Sequence, residues 1–226
     1  MNDLIFRQVR ILDGSGSAEF IGDVSVREGR INEVGTVTEP LAPSGREIVA
    51  DGAVLCPGLV DTHAHDDGAF FRHPGMEFKL SQGVTTVVSG NCGFSAIPAD
   101  PTKDSVAASG GILAGLEGEF TDLDGYYAAA LSRQPAINNM MLVGHNTVRS
   151  LVMGDSKSAP SDLQLQEMQR HVSHAMEQGA CGFSSGLIYR PGRYSDTAEV
   201  TELAKMAAPF DALYTTHMRN EGDRLL

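Results

Sequence analysis

The apolar positions divide the chain into two regions. Residues 1–56 show short apolar stretches without a helical period. Leu4–Leu12 is largely apolar and breaks at Asp13-Gly14, Val24 and Val26 alternate with polar neighbours, and Glu28-Gly29-Arg30 marks a hairpin turn. Ile31, Val34 and Ile48-Val49 continue the β pattern, and Pro40, Pro43 and Gly45 mark a loop between them. A small β unit with no helix of its own is expected here.

From residue 57 the pattern alternates between strand and helix. Strands are predicted at Leu59–His63, Thr85–Ser89, Met140–Gly144, Cys181–Ser184 and Leu213–His217. The clearest helix starts at a Ser161-x-x-Gln164 capping box, carries Leu165, Met168, Val172 and Met176 on one side, and stops at Gly179. A second starts near Asp196, with Glu199 three residues on, buries Val200, Leu203 and Ala207, and ends before Pro209; Leu123–Arg133 is a third. Residues 100–120, rich in Ala, Gly and Ser, carry no decisive pattern. Alternating β and α elements imply a parallel sheet, either doubly wound or closed as a barrel. The expected division is therefore 1–56 and 57–226.

Every predicted strand of the second region ends in polar residues, and parallel α/β folds build their sites at those carboxyl ends. The most informative stretch is Ala53–His65, an apolar run ending in two histidines one residue apart. On an extended strand Asp61, His63 and His65 share one face. Two imidazoles so placed form half of a metal site, or else a plain surface pair. Cys92, between Asn91 and Gly93 past the second strand, reads either as a buried small hydrophobe or as a thiolate ligand. His217, at the end of the fifth strand, is placed like His65. His145 is expected to hydrogen-bond or line a site, His73 to lie in a loop, His171 and His174 to be solvated or structural, and Cys56 and Cys181 to be structural. Gly182–Gly186 contains Gly-x-Ser-x-Gly, but no helix follows at once, which disfavours serine catalysis.

Composition narrows the partners. With 226 residues, 42% of them hydrophobic, the chain can bury a sizeable core. Its net charge of -12 repels nucleic acid and anionic membranes, so neither is expected as a partner. No apolar run approaches the ~20 residues of a membrane span. The N-terminus lacks the basic-then-apolar pattern of a secretory leader. Three widely spaced cysteines fit a reducing cytoplasm better than a disulfide framework.

The run Pro57–His65 resembles the first-strand signature of the amidohydrolase superfamily of metal-dependent hydrolases. Three further pieces resemble its D-aminoacylase (N-acyl-D-amino-acid deacylase) family: Ser89–Gly93; Ser184–Tyr189 with Pro191-Gly192; and Thr216–Glu221. Together they span essentially the whole chain. Most of the superfamily bridges two metals with a carboxylated lysine, whereas this family has a cysteine near the end of the second strand, where Cys92 stands. The resemblance implies an amidohydrolase-type TIM barrel with a partial N-terminal β-sandwich. It implies Zn2+, with Cys92 and His217 at a tightly held position and His63 and His65 at a weaker second one. Tyr189 is expected to line the substrate pocket. The implied reaction is hydrolysis of a small-molecule N-acyl-D-amino acid to a D-amino acid and a carboxylate, with neutral, D-glutamate and D-aspartate side chains all open.

About five β/α units are present where the barrel has eight. The family's remaining metal histidine and its catalytic aspartate are expected beyond residue 226. The chain is therefore expected to be an N-terminal portion, weakly active or inactive alone, and to self-associate through open barrel edges. The alternatives are a dihydroorotase- or hydantoinase-like cyclic amidase, which Cys92 disfavours, and a non-catalytic remnant.

Overall fold

A computed structural model describes residues 1–100, 102–103, 110–112 and 120–223. Contacts divide the chain into two units, Met1–Gly58 and Leu59–Leu226.

The first unit is one sheet built from β1 (Asn2–Ile11), β2 (Phe20–Arg27), β3 (Arg30–Gly35), β4 (Leu41–Val49) and β5 (Val54–Leu55). Its order is β3-β2-β1-β4, with β5 also on β1. The β2–β3 connection has positive φ at both Glu28 and Gly29, the two-residue turn whose twist matches an antiparallel pair. The loop expected around Pro43 and Gly45 is instead part of β4. Between the pairs Asn2–Leu41 and Leu4–Arg46 the register shifts, and Pro43 to Gly45 bulge from the ladder. A proline has no N–H to donate, and an edge strand is where a sheet tolerates that. Val9, Ile11 and Val24, backed by Phe6, Ala50 and Leu55, form this unit's small core.

The second unit runs β6 (Leu59–Asp61), α1 (Ala69–Arg72), α2 (Glu77–Leu80), β7 (Val84–Ser89), α3 (Leu123–Leu131), β8 (Asn138–Gly144), α4 (His145–Met153), α5 (Asp162–Glu177), β9 (Gly182–Gly186), α6 (Thr197–Ala207) and β10 (Leu213–His217). The strands are all parallel and in sequential order, β6 to β10. A doubly wound sheet reverses its strand order at a switch point. This sheet has no reversal, so it is the curled wall of an incomplete TIM barrel. Most of residues 100–120 lie outside the described residues.

The helices follow local chemistry. Ser161 and Gln164 form a reciprocal capping box on α5, and Asp196 caps α6 through the Glu199 amide. Their apolar faces, Met168, Val172, Met176 and Leu203, pack with Val87, Met141, Val143 and Phe183 of the sheet in one core. Helix α4 escapes the apolar pattern because much of its buried face is polar: His145, Asn146, Thr147 and Arg149 are all inaccessible.

One buried cluster answers for that polarity. His145 Nε2 donates to Glu199 Oε1 at 2.8 Å, and Arg149 pairs with Glu199 Oε2. Arg149 also donates to the carbonyls of Ser156, at 3.2 Å, and Ser158, at 2.8 Å. Burial pushes the Glu199 carboxyl up, but the bonds from His145 and Arg149 outweigh it and hold it below the ordinary range. The capping position thus serves a second purpose: the Glu199 carboxylate pins α6 to α4. Replacing Glu199 by Gln leaves Arg149 buried without its counter-charge, so we expect a loss of about 3–5 kcal/mol in denaturant unfolding. The sign with pH follows from the lowered value. The Glu199 contribution is complete above the ordinary carboxylate range, ~4, and is lost as pH falls through the lowered pKa. Acid unfolding curves of the parent should show that loss and those of Glu199→Gln should lack it.

Candidate metal centre

The strand carrying the first histidine pair is shorter than its apolar pattern predicts. β6 ends at Asp61, whose Oδ1 accepts the His63 amide at 3.2 Å and bends the chain. His63 and His65 therefore lie on a bend beyond the strand, not on an extended face, with ring centroids 5.6 Å apart, edge to face. Lys79 of α2 holds the bend from outside, 2.6 Å from Asp61 Oδ2 and 2.9 Å from Asp66 Oδ2. Asp67 holds it from inside: fully buried, it accepts the amides of Ala96 at 2.9 Å and Gly90 at 3.4 Å. Burial pushes the Asp67 carboxyl up to about 6 despite these bonds.

Cys92 sits in a single 3₁₀ turn, Asn91–Gly93, directly after β7. Its φ of +55° is left-handed, a conformation that costs a residue with a side chain roughly 1–2 kcal/mol. The Asn91 side chain stitches the turn to its surroundings, donating to Val88 O at 2.9 Å and Thr62 O at 3.4 Å and accepting from Thr215 Oγ1 at 3.4 Å. The buried Cys92 Sγ lies 3.3 Å from His63 Nε2 and 3.6 Å from His217 Nδ1. Donor atoms of His63, His65 and Cys92 all fall within 4.8 Å of one another.

His217 closes β10. Its Nε2 donates to Glu221 Oε1 at 2.6 Å, which in the neutral ring leaves the Nδ1 lone pair on the side of Cys92. The Tyr189 hydroxyl donates to the same Nδ1 at 3.2 Å, and its ring meets the imidazole edge to face at 4.9 Å. The sequence marks Glu221 only as part of a matching stretch; its grip on His217 comes from the chain turning back after β10.

The structure thus brings His63, His65, Cys92, His217 and Tyr189 together. It keeps His145 apart, buried against Phe183 and bonded to Glu199. His171 and His174 are on α5, away from the cluster. Ser184, at the centre of the Gly-x-Ser-x-Gly stretch, is fully buried with its hydroxyl bonded to backbone.

The sulfur–imidazole pairs have nearly the span of two ligands on one zinc ion. A sulfur at ~2.3 Å and a nitrogen at ~2.0–2.1 Å from zinc stand about 3.5–3.6 Å apart at tetrahedral angles. The Cys92–His217 distance of 3.6 Å meets that span and the Cys92–His63 distance of 3.3 Å falls just short of it. Burial pushes the Cys92 thiol up, so it carries a proton until a cation displaces it. Burial, with help from the neighbouring His63, pushes His65 down toward the neutral form that ligates. Sulfur and imidazole together select a borderline metal such as zinc over magnesium or calcium.

Comparisons with known proteins identify the family. The model of the amidohydrolase family matches residues 46–219. The N-acyl-D-glutamate deacylase of Alcaligenes xylosoxydans xylosoxydans is 42% identical over 98% of this chain and 44% of its own length. The crystal structure of the N-acyl-D-glutamate deacylase of Bordetella bronchiseptica, complexed with zinc and a phosphonate inhibitor, superposes with a TM-score of 0.87 at 39% identity, over 99% of this chain and 46% of that one. A crystal structure of D-aminoacylase gives a TM-score of 0.81 at 35% identity, again over 99% and 46%. The chain spans a little under half the length of these relatives. It belongs to the amidohydrolase family, and within that family it resembles the N-acyl-D-amino-acid deacylases.

Proposed function

We propose that this chain carries the metal-holding strands of a zinc-dependent N-acyl-D-amino-acid deacylase. The observation that carries the reading is Cys92 Sγ standing between His63 Nε2 and His217 Nδ1, each within the span of one ion. His217 and Cys92 would hold the firmer zinc, with His63 and His65 at a weaker second position. Bound zinc would supply the Lewis acid that an amide carbonyl needs for hydrolysis. The chain's own residues do the rest of the work seen here. Glu221 keeps the His217 proton on Nε2 and leaves Nδ1 free to ligate. Tyr189, half-exposed beside His217, would give up its Nδ1 acceptor to a bound metal, and its hydroxyl would then be free for a substrate oxygen. Cys92 in place of a bridging lysine favours a linear N-acyl-D-amino acid over a cyclic amide. Three free cysteines suit a reducing cytoplasm, and no helix among the described residues is long and apolar enough to cross a membrane.

The zinc reading is checked by metal analysis after dialysis. Parent protein should retain substoichiometric zinc and Cys92→Ala clearly less; equal zinc in both would remove Cys92 from the site.

The resemblance implies a proton-accepting aspartate on an eighth strand, and this sheet has five strands among the described residues. Lack of a positioned base costs roughly 10²–10⁴ in rate. We therefore expect residues 1–226 alone to hydrolyse N-acetyl-D-glutamate, N-acetyl-D-aspartate and N-acetyl-D-methionine slowly at best with added zinc. Co-expression with the C-terminal half of a deacylase relative should restore turnover. Brisk hydrolysis by residues 1–226 would refute the expectation and direct a search for a base to Asp66, Asp67 and Glu221; preference for dihydroorotate or a hydantoin would favour the cyclic-amidase alternative.

We also propose self-association through the outer strands of this sheet. Among the described residues β6 and β10 each pair on one side only, and Leu59, Val60, Leu213 and Tyr214 on them are exposed. Light scattering should show oligomers of residues 1–226; a monodisperse monomer would contradict this.

A further inference from the structure

One hydroxyl ties the two ends of the Cys92 turn together, beside the Asn91 bonds that anchor its first residue. Ser184, on β9, accepts the Gly93 amide at 3.0 Å and donates to the Gly90 carbonyl. It therefore bridges the two residues flanking Asn91-Cys92 and clasps the turn from end to end. Ser184 is fully buried, and its hydroxyl has no other partner among the described residues. The clasp matters because the turn is strained: Gly90, Cys92 and Gly93 all have positive φ, at Cys92 that conformation is unfavourable, and the turn's own backbone bond, Phe94 N–H to Asn91 O at 3.1 Å, leaves the Gly90 carbonyl and Gly93 amide to Ser184. The β9 backbone is already packed against the turn, so that a Cβ on Gly186 would collide with the Cys92 carbonyl. Movement toward β9 is blocked, and Ser184 prevents movement away.

We propose that Ser184 is the positioning residue of the metal centre: its two backbone hydrogen bonds fix the left-handed Cys92 so that Sγ stands between His63 and His217. This rests on the zinc reading above. It also gives the Gly-x-Ser-x-Gly stretch a role other than nucleophile, since the hydroxyl faces two backbone groups and no histidine. Without the clasp, Cys92 can relax toward a right-handed conformation, which swings Sγ off the line between the imidazoles.

The test uses residues 1–226 loaded with cobalt(II), whose thiolate-to-metal charge-transfer absorption reports the Cys92–metal bond directly. Ser184→Ala should weaken cobalt and zinc binding about 10- to 100-fold, the usual effect of removing a partner that orients a ligand, and diminish the charge-transfer band. Ser184→Thr, which keeps the hydroxyl, should return both toward the parent. Ser185→Ala is the control for the loss of any buried serine hydroxyl. Ser185 is adjacent on β9, on the opposite strand face, and its hydroxyl bonds to Tyr214 and Thr216, 2.7 Å from each. It should lower thermal stability yet leave the band unchanged. A parental band and affinity in Ser184→Ala overturn the proposal, as does equal loss in Ser185→Ala. A parent band that survives in Cys92→Ala, or a parent with no such band, overturns the zinc reading itself. Should Ser184→Ala not fold, amide exchange in the parent decides: a protected Gly93 N–H is expected, and one exchanging at the rate of an open loop overturns the clasp.

Discussion

One sulfur atom constrains the barrel wall. Cys92 follows β7, and His217 ends β10, three strands away. Neighbouring strands lie ~4.8 Å apart, so a flat sheet would separate those two strands by about 14 Å. Their side chains nevertheless approach to 3.6 Å, and the same sulfur lies 3.3 Å from His63 beyond β6. Only a sheet rolled about the sulfur allows both. The curl, the strand order and the closeness of the imidazoles are thus one geometric fact.

The strand ends are packed too tightly for ordinary side chains, and this is why polar groups rather than apolar ones organise them. Backbone meets backbone where Gly144 lies against Gly93 and Gly186 against Cys92. Small hydroxyls and amides fill the remaining space and satisfy the carbonyls and amides that end each strand: Ser95 to the Gly144 amide at 2.9 Å, Asn146 to Gly186 O at 3.1 Å, Asn91 across to β6 and β10. Buried backbone groups left unpaired would each cost more than these bonds gain. The apolar core lies between the sheet and the helices, where Phe183, Met141 and Leu203 have room to interdigitate.

What the sequence reveals, and what it hides, follows from that division. Amphipathic α5 and α6 are legible because apolar periodicity and a capping residue agree. The histidine pair and Cys92 are legible because chemistry-bearing residues stand at strand ends. Helix α4 is not, since Gly144 offers no side-chain cap and its buried positions include His145 and Arg149. Glu199 reads as a capping residue and is instead the anion that neutralises Arg149, a pairing 50 residues apart that no local pattern encodes. The early end of β6 goes with the Asp61–His63 bond and the Lys79 bridges to Asp61 and Asp66, and the persistence of β4 through Pro43 with a register shift against β1; spacing alone specifies neither.

The β4 bulge has a consequence for how the first unit meets other chains. An edge strand offers a row of free amides and carbonyls to any extended segment that drifts past. On β4 that row is broken: Pro43 brings no amide, and the out-of-step run to Gly45 throws the remaining groups off the regular two-residue rhythm that a docking strand must match. The opposite border, β3, exposes Ile31 and Val34 but is bulged as well: Asn32 is passed over between the pairs Ser25–Glu33 and Val26–Ile31. Growth of this sheet by an added strand is therefore hindered on both flanks, by Pro43 to Gly45 on one and by the step at Asn32 on the other.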